Sequence, residues 1–92
     1  MLRPNLPEIP ARIRDAGLPI YFCETKVGRF SIESRGDRWH IMFKGESLGS
    51  YARPEQAADD LAGGHTYPAG PGIDTSMLGI SENLSEWSRV RL

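Results

Sequence analysis

The chain has 92 residues, 39% of them apolar and 25% charged, with a formal net charge of −1. That length suits one domain with a modest core, and eight aromatics make a disordered chain improbable on composition. One cysteine rules out an intrachain disulfide, and near-neutrality argues against a strongly electrostatic nucleic-acid binder. The first seven residues contain no apolar run of signal-peptide length, and no stretch approaches the ~20 apolar residues of a membrane span. The expected setting is therefore cytoplasmic, in a bacterium or phage, with no membrane partner.

Residues 1–19 hold Pro4, Pro7, Pro10 and Pro19 and read as an extended lead-in. One helical turn is expected over Pro10–Ala16, with Pro10 at its first position and Gly17 past its end. Residues 20–64 form the sheet and main helix. Ile20–Thr25 is rich in aromatic and β-branched side chains and reads as an edge strand. Lys26-Val27-Gly28 is a hairpin loop. Arg29–Ser34 then alternates, with Phe30 and Ile32 on one face and Ser31 and Glu33 on the other. Arg38–Lys44 alternates more strictly: Trp39, Ile41 and Phe43 share one face, and Arg38, His40, Met42 and Lys44 the other. Gly36-Asp37 and Gly45-Glu46 supply turns, and Ser47–Tyr51 returns as a shorter strand.

The period then changes. Pro54 opens a helix, Ala57, Ala58, Leu61 and Ala62 form its apolar stripe, and Gly63-Gly64 ends it. A stripe of alanines lets the helix lie close to the Trp39/Ile41/Phe43 face. Arg53 stands where Ser, Thr or Asp is preferred as a cap. Residues 65–92 are a loop-rich tail. Asp74 can cap a turn through Met77, and Ser81 can cap a short helix over Glu82–Ser88, anchored by Leu84 and Trp87. The expected fold is α+β: a three- to four-stranded antiparallel meander, one main helix on one face, and a short C-terminal helix.

Charge is unevenly spread. Residues 26–44 carry five basic and two acidic side chains, net +3, whereas residues 45–92 are net −4. Arg29, Arg35, Arg38, His40 and Lys44 are the candidate binding residues on the helix-free face. A sheet face of this kind can contact a protein partner, contact nucleic acid, or simply be solvated. These alternatives stay open on the residues alone, as does a homodimer through the edge strand Ile20–Thr25.

Chemistry-bearing patterns are sparse. Cys23 lies in an apolar run and reads as a small buried hydrophobe rather than a nucleophile. Cys23, His40 and His65 lack the short paired spacings of zinc sites, so no metal is expected. Gly63-Gly64-His65-Thr66 follows a helix instead of preceding one, which suits a helix end and not a phosphate cradle. No cofactor and no catalytic residues are expected: the leading reading is a non-enzymatic binding module, with a small enzyme or enzyme subunit as the alternative. Trp87, Val90 and Leu92 read as a pin to the core or as a contact patch.

Trp39-His40-Ile41-Met42-Phe43, Leu48-Gly49-Ser50-Tyr51 and Pro54-Glu55-Gln56-Ala57-Ala58 together resemble the three-stranded-sheet-plus-helix domains of plant ethylene-response transcription factors. They are similar also to the arm-binding domains of phage-type tyrosine integrases. The resemblance covers residues 29–64. It implies DNA binding through the sheet face, with Arg29, Arg35, Arg38, His40 and Lys44 at the matching strand positions. The tail, with Gly-His-Thr after the helix and a Trp-bearing end, resembles small uncharacterised bacterial proteins and implies no activity.

Overall fold

The computed structural model describes residues 18–91. The helical turn expected at Pro10–Ala16 lies outside them. Five strands form one antiparallel sheet: β1 (Pro19–Thr25), β2 (Gly28–Arg35), β3 (Arg38–Phe43), β4 (Glu46–Tyr51) and β5 (Ser88–Arg91). Their order across the sheet is β4-β3-β2-β1-β5. The first four are the expected meander. One helix, α1 (Pro54–Gly63), covers one face.

The alternation read from the sequence sets the registers. Phe30 pairs with Phe43, and Ile32 with Ile41, so all four project to the helix side. The Phe30 and Phe43 rings stack with centroids 4.2 Å apart. Phe30, Ile32, Ile41 and Leu61 are completely buried, each contributing about 1.5–3 kcal/mol relative to exposure. Ala57 and Ala58 are buried beside them, and their small size permits the close approach of α1. Trp39, expected on this face with Ile41 and Phe43, sits at its margin. It is half-buried, tilted against Tyr21 with centroids 6.1 Å apart.

The two ends of α1 behave as their residues dictate. Arg53 occupies the N-cap with no side-chain hydrogen bond to the helix. At the other end Gly64 has φ of 77°. Its N–H donates to the Leu61 carbonyl, and the His65 N–H donates to that of Asp60, closing the left-handed cap. The buried Thr75 hydroxyl donates to the Leu61 carbonyl at 2.7 Å, which ties the tail to the same helix end. Asp74 caps the following 3-10 turn, Thr75–Met77, by accepting from the Ser76 N–H.

Three details differ from the sequence reading. The helix expected over 82–88 contracts to one 3-10 turn, Leu84–Glu86, capped by Asn83, while Ser81 accepts from the Asn83 N–H. Leu84 and Trp87 are still the buried anchors, since a spacing of three fits a 3-10 turn as well as an α-helix. The chain then straightens into β5, which pairs with β1 from Pro19↔Arg91 to Phe22↔Ser88. Ile20–Thr25 is consequently an interior strand rather than an edge. The third difference is in β4, where Leu48 forms a bulge between the pairs Ile41↔Gly49 and Met42↔Ser47 and drops into the core.

Candidate interaction face

The face of the sheet opposite α1 is built by strict pairing. Phe22, Ser31 and Met42 lie in one row across β1, β2 and β3. Glu33, His40 and Ser50 form a neighbouring row, and Arg35 opposes Arg38 beside the β2–β3 turn. Val90 of β5 opposes Ile20 of β1 on this same side. Ser31 is 8% exposed although it faces away from the core, because Phe22 and Met42 flank it.

Four of the five expected basic residues do share this face, but two of them meet carboxylates and the other two hydrogen-bond serines. Arg29 forms an ion pair with Glu24, and its guanidinium lies 4.7 Å from the centroid of the Phe22 ring. Arg35 pairs with Glu33 at 3.2 Å, and the second oxygen of Glu33 accepts from the Ser31 hydroxyl at 2.8 Å. Arg38 donates to the Ser50 hydroxyl at 3.2 Å and to the Ser50 carbonyl at 2.8 Å. His40 Nδ1 lies 2.9 Å from the Ser47 hydroxyl. Lys44 is not in the array. β3 ends at Phe43, and Lys44 turns the chain with φ of 51°, placing its ammonium 5.3 Å from the Phe43 ring centroid.

Sequence reasoning placed Met42 on this face and read Val90 as part of a pin or contact patch, but it missed that Ile20 and Phe22 complete an apolar area there. In Ile20-Tyr21-Phe22-Cys23 both parities are apolar, so alternation cannot say which pair faces the helix. The register decides it. Tyr21 and Cys23 oppose Ile32 and Phe30 on the core side, leaving Ile20 and Phe22 outside.

Cys23, His40 and His65 are not brought together. Cys23 packs against the core from β1, where burial, reinforced by the charge of Glu24, pushes its thiol up. This is the opposite of what a nucleophile needs. His40 is on the outer face, and His65 lines a shallow groove with Tyr51 and Tyr67. Among the described residues no three His, Cys, Asp or Glu side chains could hold one metal ion. No described helix is long and apolar enough to cross a membrane.

On the helix side, Tyr51 of β4 donates its hydroxyl to Asp60 of α1 at 2.9 Å. Burial, that hydrogen bond and the Asp60 charge all push the phenol up. Gly49 makes room for the ring: a Cβ there would lie 2.8 Å from the Tyr51 hydroxyl. The Leu-Gly-x-aromatic stretch behind the resemblance to DNA-binding sheets is thus a sheet-to-helix lock in this chain. No family model matches this chain, and neither does any curated protein or solved structure.

Proposed function

We propose that this chain is a non-enzymatic binding module whose helix-free sheet face takes a protein partner. One observation carries the reading: the arginines of that face are engaged by Glu24, Glu33 and Ser50 of the same face. What is left for a partner is an apolar patch of Ile20, Phe22, Met42 and Val90 that reaches the β5 edge and is bordered elsewhere by polar side chains. An apolar centre with a hydrogen-bonding rim, aromatic and methionine included, is the composition of protein interfaces. A surface for phosphates would keep its cations free of carboxylates.

The test places a photo-activatable phenylalanine at Met42, or at Asp59 on the exposed side of α1, in cells that make the protein. A discrete cross-linked species from position 42 and not from 59 supports the reading. Equal or absent adducts at the two positions overturn it. The second reading, DNA contact, is favoured by the adjacency of Arg35 and Arg38 across their hairpin. It requires duplex binding that weakens with salt at a slope near −0.9 per phosphate neutralised and that disappears in Arg35→Glu/Arg38→Glu. Those two results together would replace the protein-partner reading.

A further inference from the structure

The two edges of the sheet are treated differently. At the β4 edge the Leu48 bulge interrupts the register, and the Tyr67 N–H donates to the Leu48 carbonyl at 3.2 Å. Bulges and loop cover are devices that stop a foreign strand from adding. β5 has neither. It pairs with β1 on one side without a register shift, and among the described residues no backbone hydrogen bond reaches its other side. It contains no proline or glycine.

Both faces beside this bare edge can receive side chains. On the helix side lies a groove of about 700 Å³ whose lining includes Tyr21, Trp87 and Arg89. On the other side Val90 is 43% exposed next to Ile20. An extended segment laid along β5 would therefore find backbone partners at the edge, and room for its alternate side chains above and below. Main-chain bonds then supply affinity and the flanking pockets supply selectivity.

We infer that β5 takes up an extended segment of a partner protein as a sixth, antiparallel strand, with a carboxylate opposite Arg89 and apolar side chains opposite Val90. The inference concerns the sheet's edge; it shares Ile20 and Val90 with the proposed outer-face surface, and its test reads Arg89, which lies on the helix side. Charge selects the occupant. The ion pairs among the described residues are Arg29–Glu24, Arg35–Glu33 and Arg53–Glu55, so Arg89 has no anionic partner there. A directly opposed residue brings its Cβ within about 5 Å, where opposite charges attract and like charges repel. A second copy of this chain fits poorly for that reason. A two-fold antiparallel pairing of β5 keeps each face on its own side, and centred on Arg89 it sets arginine against arginine. Glu55 and Glu82 also line the groove and work against an acidic guest, Glu55 with Arg53 beside it. The cross-strand position is nevertheless the closest that a guest side chain can take to Arg89, and Coulomb energy falls with distance.

The experiment uses the full chain and the synthetic peptide acetyl-Thr-Val-Glu-Val-Glu-Val-Thr-amide. Its controls are the same peptide with lysine for glutamate, and one with alternate amides N-methylated. The glutamate peptide is expected to bind roughly tenfold more tightly than the lysine peptide, a preference that Arg89→Gln reduces and Arg89→Glu inverts. N-methylation abolishes binding, and Glu82→Gln strengthens the acidic peptide about twofold. The amides of residues 88–91 that point away from β1 exchange fast in the free chain and slow with the glutamate peptide. Equal affinity for both charge forms, tolerance of N-methylation, no saturable binding, or protection in the free chain of the β5 amides that point away from β1 would each overturn the inference.

Discussion

Replacing Gly49 with alanine tests whether the Leu-Gly-x-aromatic stretch locks the sheet to the helix. The new Cβ would sit 2.8 Å from the Tyr51 hydroxyl oxygen and 3.1 Å from Cε1, closer than such atoms pack, so the ring must move. Its hydrogen bond to Asp60 is at the moving end and is lost. For a half-buried phenol on a carboxylate this costs about 1 kcal/mol. Gly49 also has φ of 156°, which alanine adopts at a further cost of about 1 kcal/mol. Gly49→Ala should therefore destabilise the chain by about 2 kcal/mol, and Tyr51→Phe by about 1 kcal/mol. In the double variant the hydrogen bond is lost only once, so its cost stays near 2 kcal/mol, about 1 kcal/mol below the sum of the singles. Urea unfolding of the four proteins measures the cycle, with unchanged m-values as the check on a common unfolded state. Strict additivity, or a neutral Gly49→Ala, would refute the lock.

Tyr51 ionises late because burial and Asp60 oppose the phenolate; its folded pKa is raised, so the stability it confers is complete below pH ~10 and is lost as pH rises above that value. Ultraviolet titration should show a late tyrosinate component that Tyr51→Phe removes. Trp87→Ala should cost about 3–5 kcal/mol, because Trp87 is 6% exposed and donates Nε1–H to the Ser81 carbonyl; Trp39→Ala, at the core margin, should cost less by the same unfolding assay. The Ser76 hydroxyl and N–H hold the Asp74 carboxyl below its usual range, so its stabilising effect is present above pH ~4 and fades as pH falls through the lowered value. Asp74→Asn should remove that part of the acid dependence in thermal melts at stepped pH.

The middle of the chain was legible because one chemical pattern dictates each element. Phe30/Ile32 and Ile41/Phe43 alternate against polar neighbours, and Pro54 and Gly64 bracket an alanine stripe, so β2, β3 and α1 follow from local periodicity. β5 was not legible. Ser88-Arg89-Val90-Arg91 has a single apolar residue, and its strand state comes from a partner far away in the chain. The Leu48 bulge is equally hidden, because it is set by the register of β3 and not by residues 46–51. The candidate face was half legible. Parity placed Arg29, Arg35, Arg38 and His40 on one side, but the pairing of Arg29 to Glu24 is a cross-strand event between β1 and β2. A charge tally along the sequence cannot contain it.

The placement of β1 between β2 and β5 has a consequence for how the sheet is assembled. β2, β3, β4 and α1 succeed one another through short turns, so their contacts form over small loops. The β1–β5 ladder closes a loop of roughly seventy residues, whose entropic cost must be met before its hydrogen bonds form. During synthesis the four-stranded meander and helix can collapse while β5 is still inside the ribosome. Until Ser88–Arg91 emerges, the strand that ends as the second from one side is itself the margin of the sheet, so residues 88–91 decide which strand edge the cell encounters.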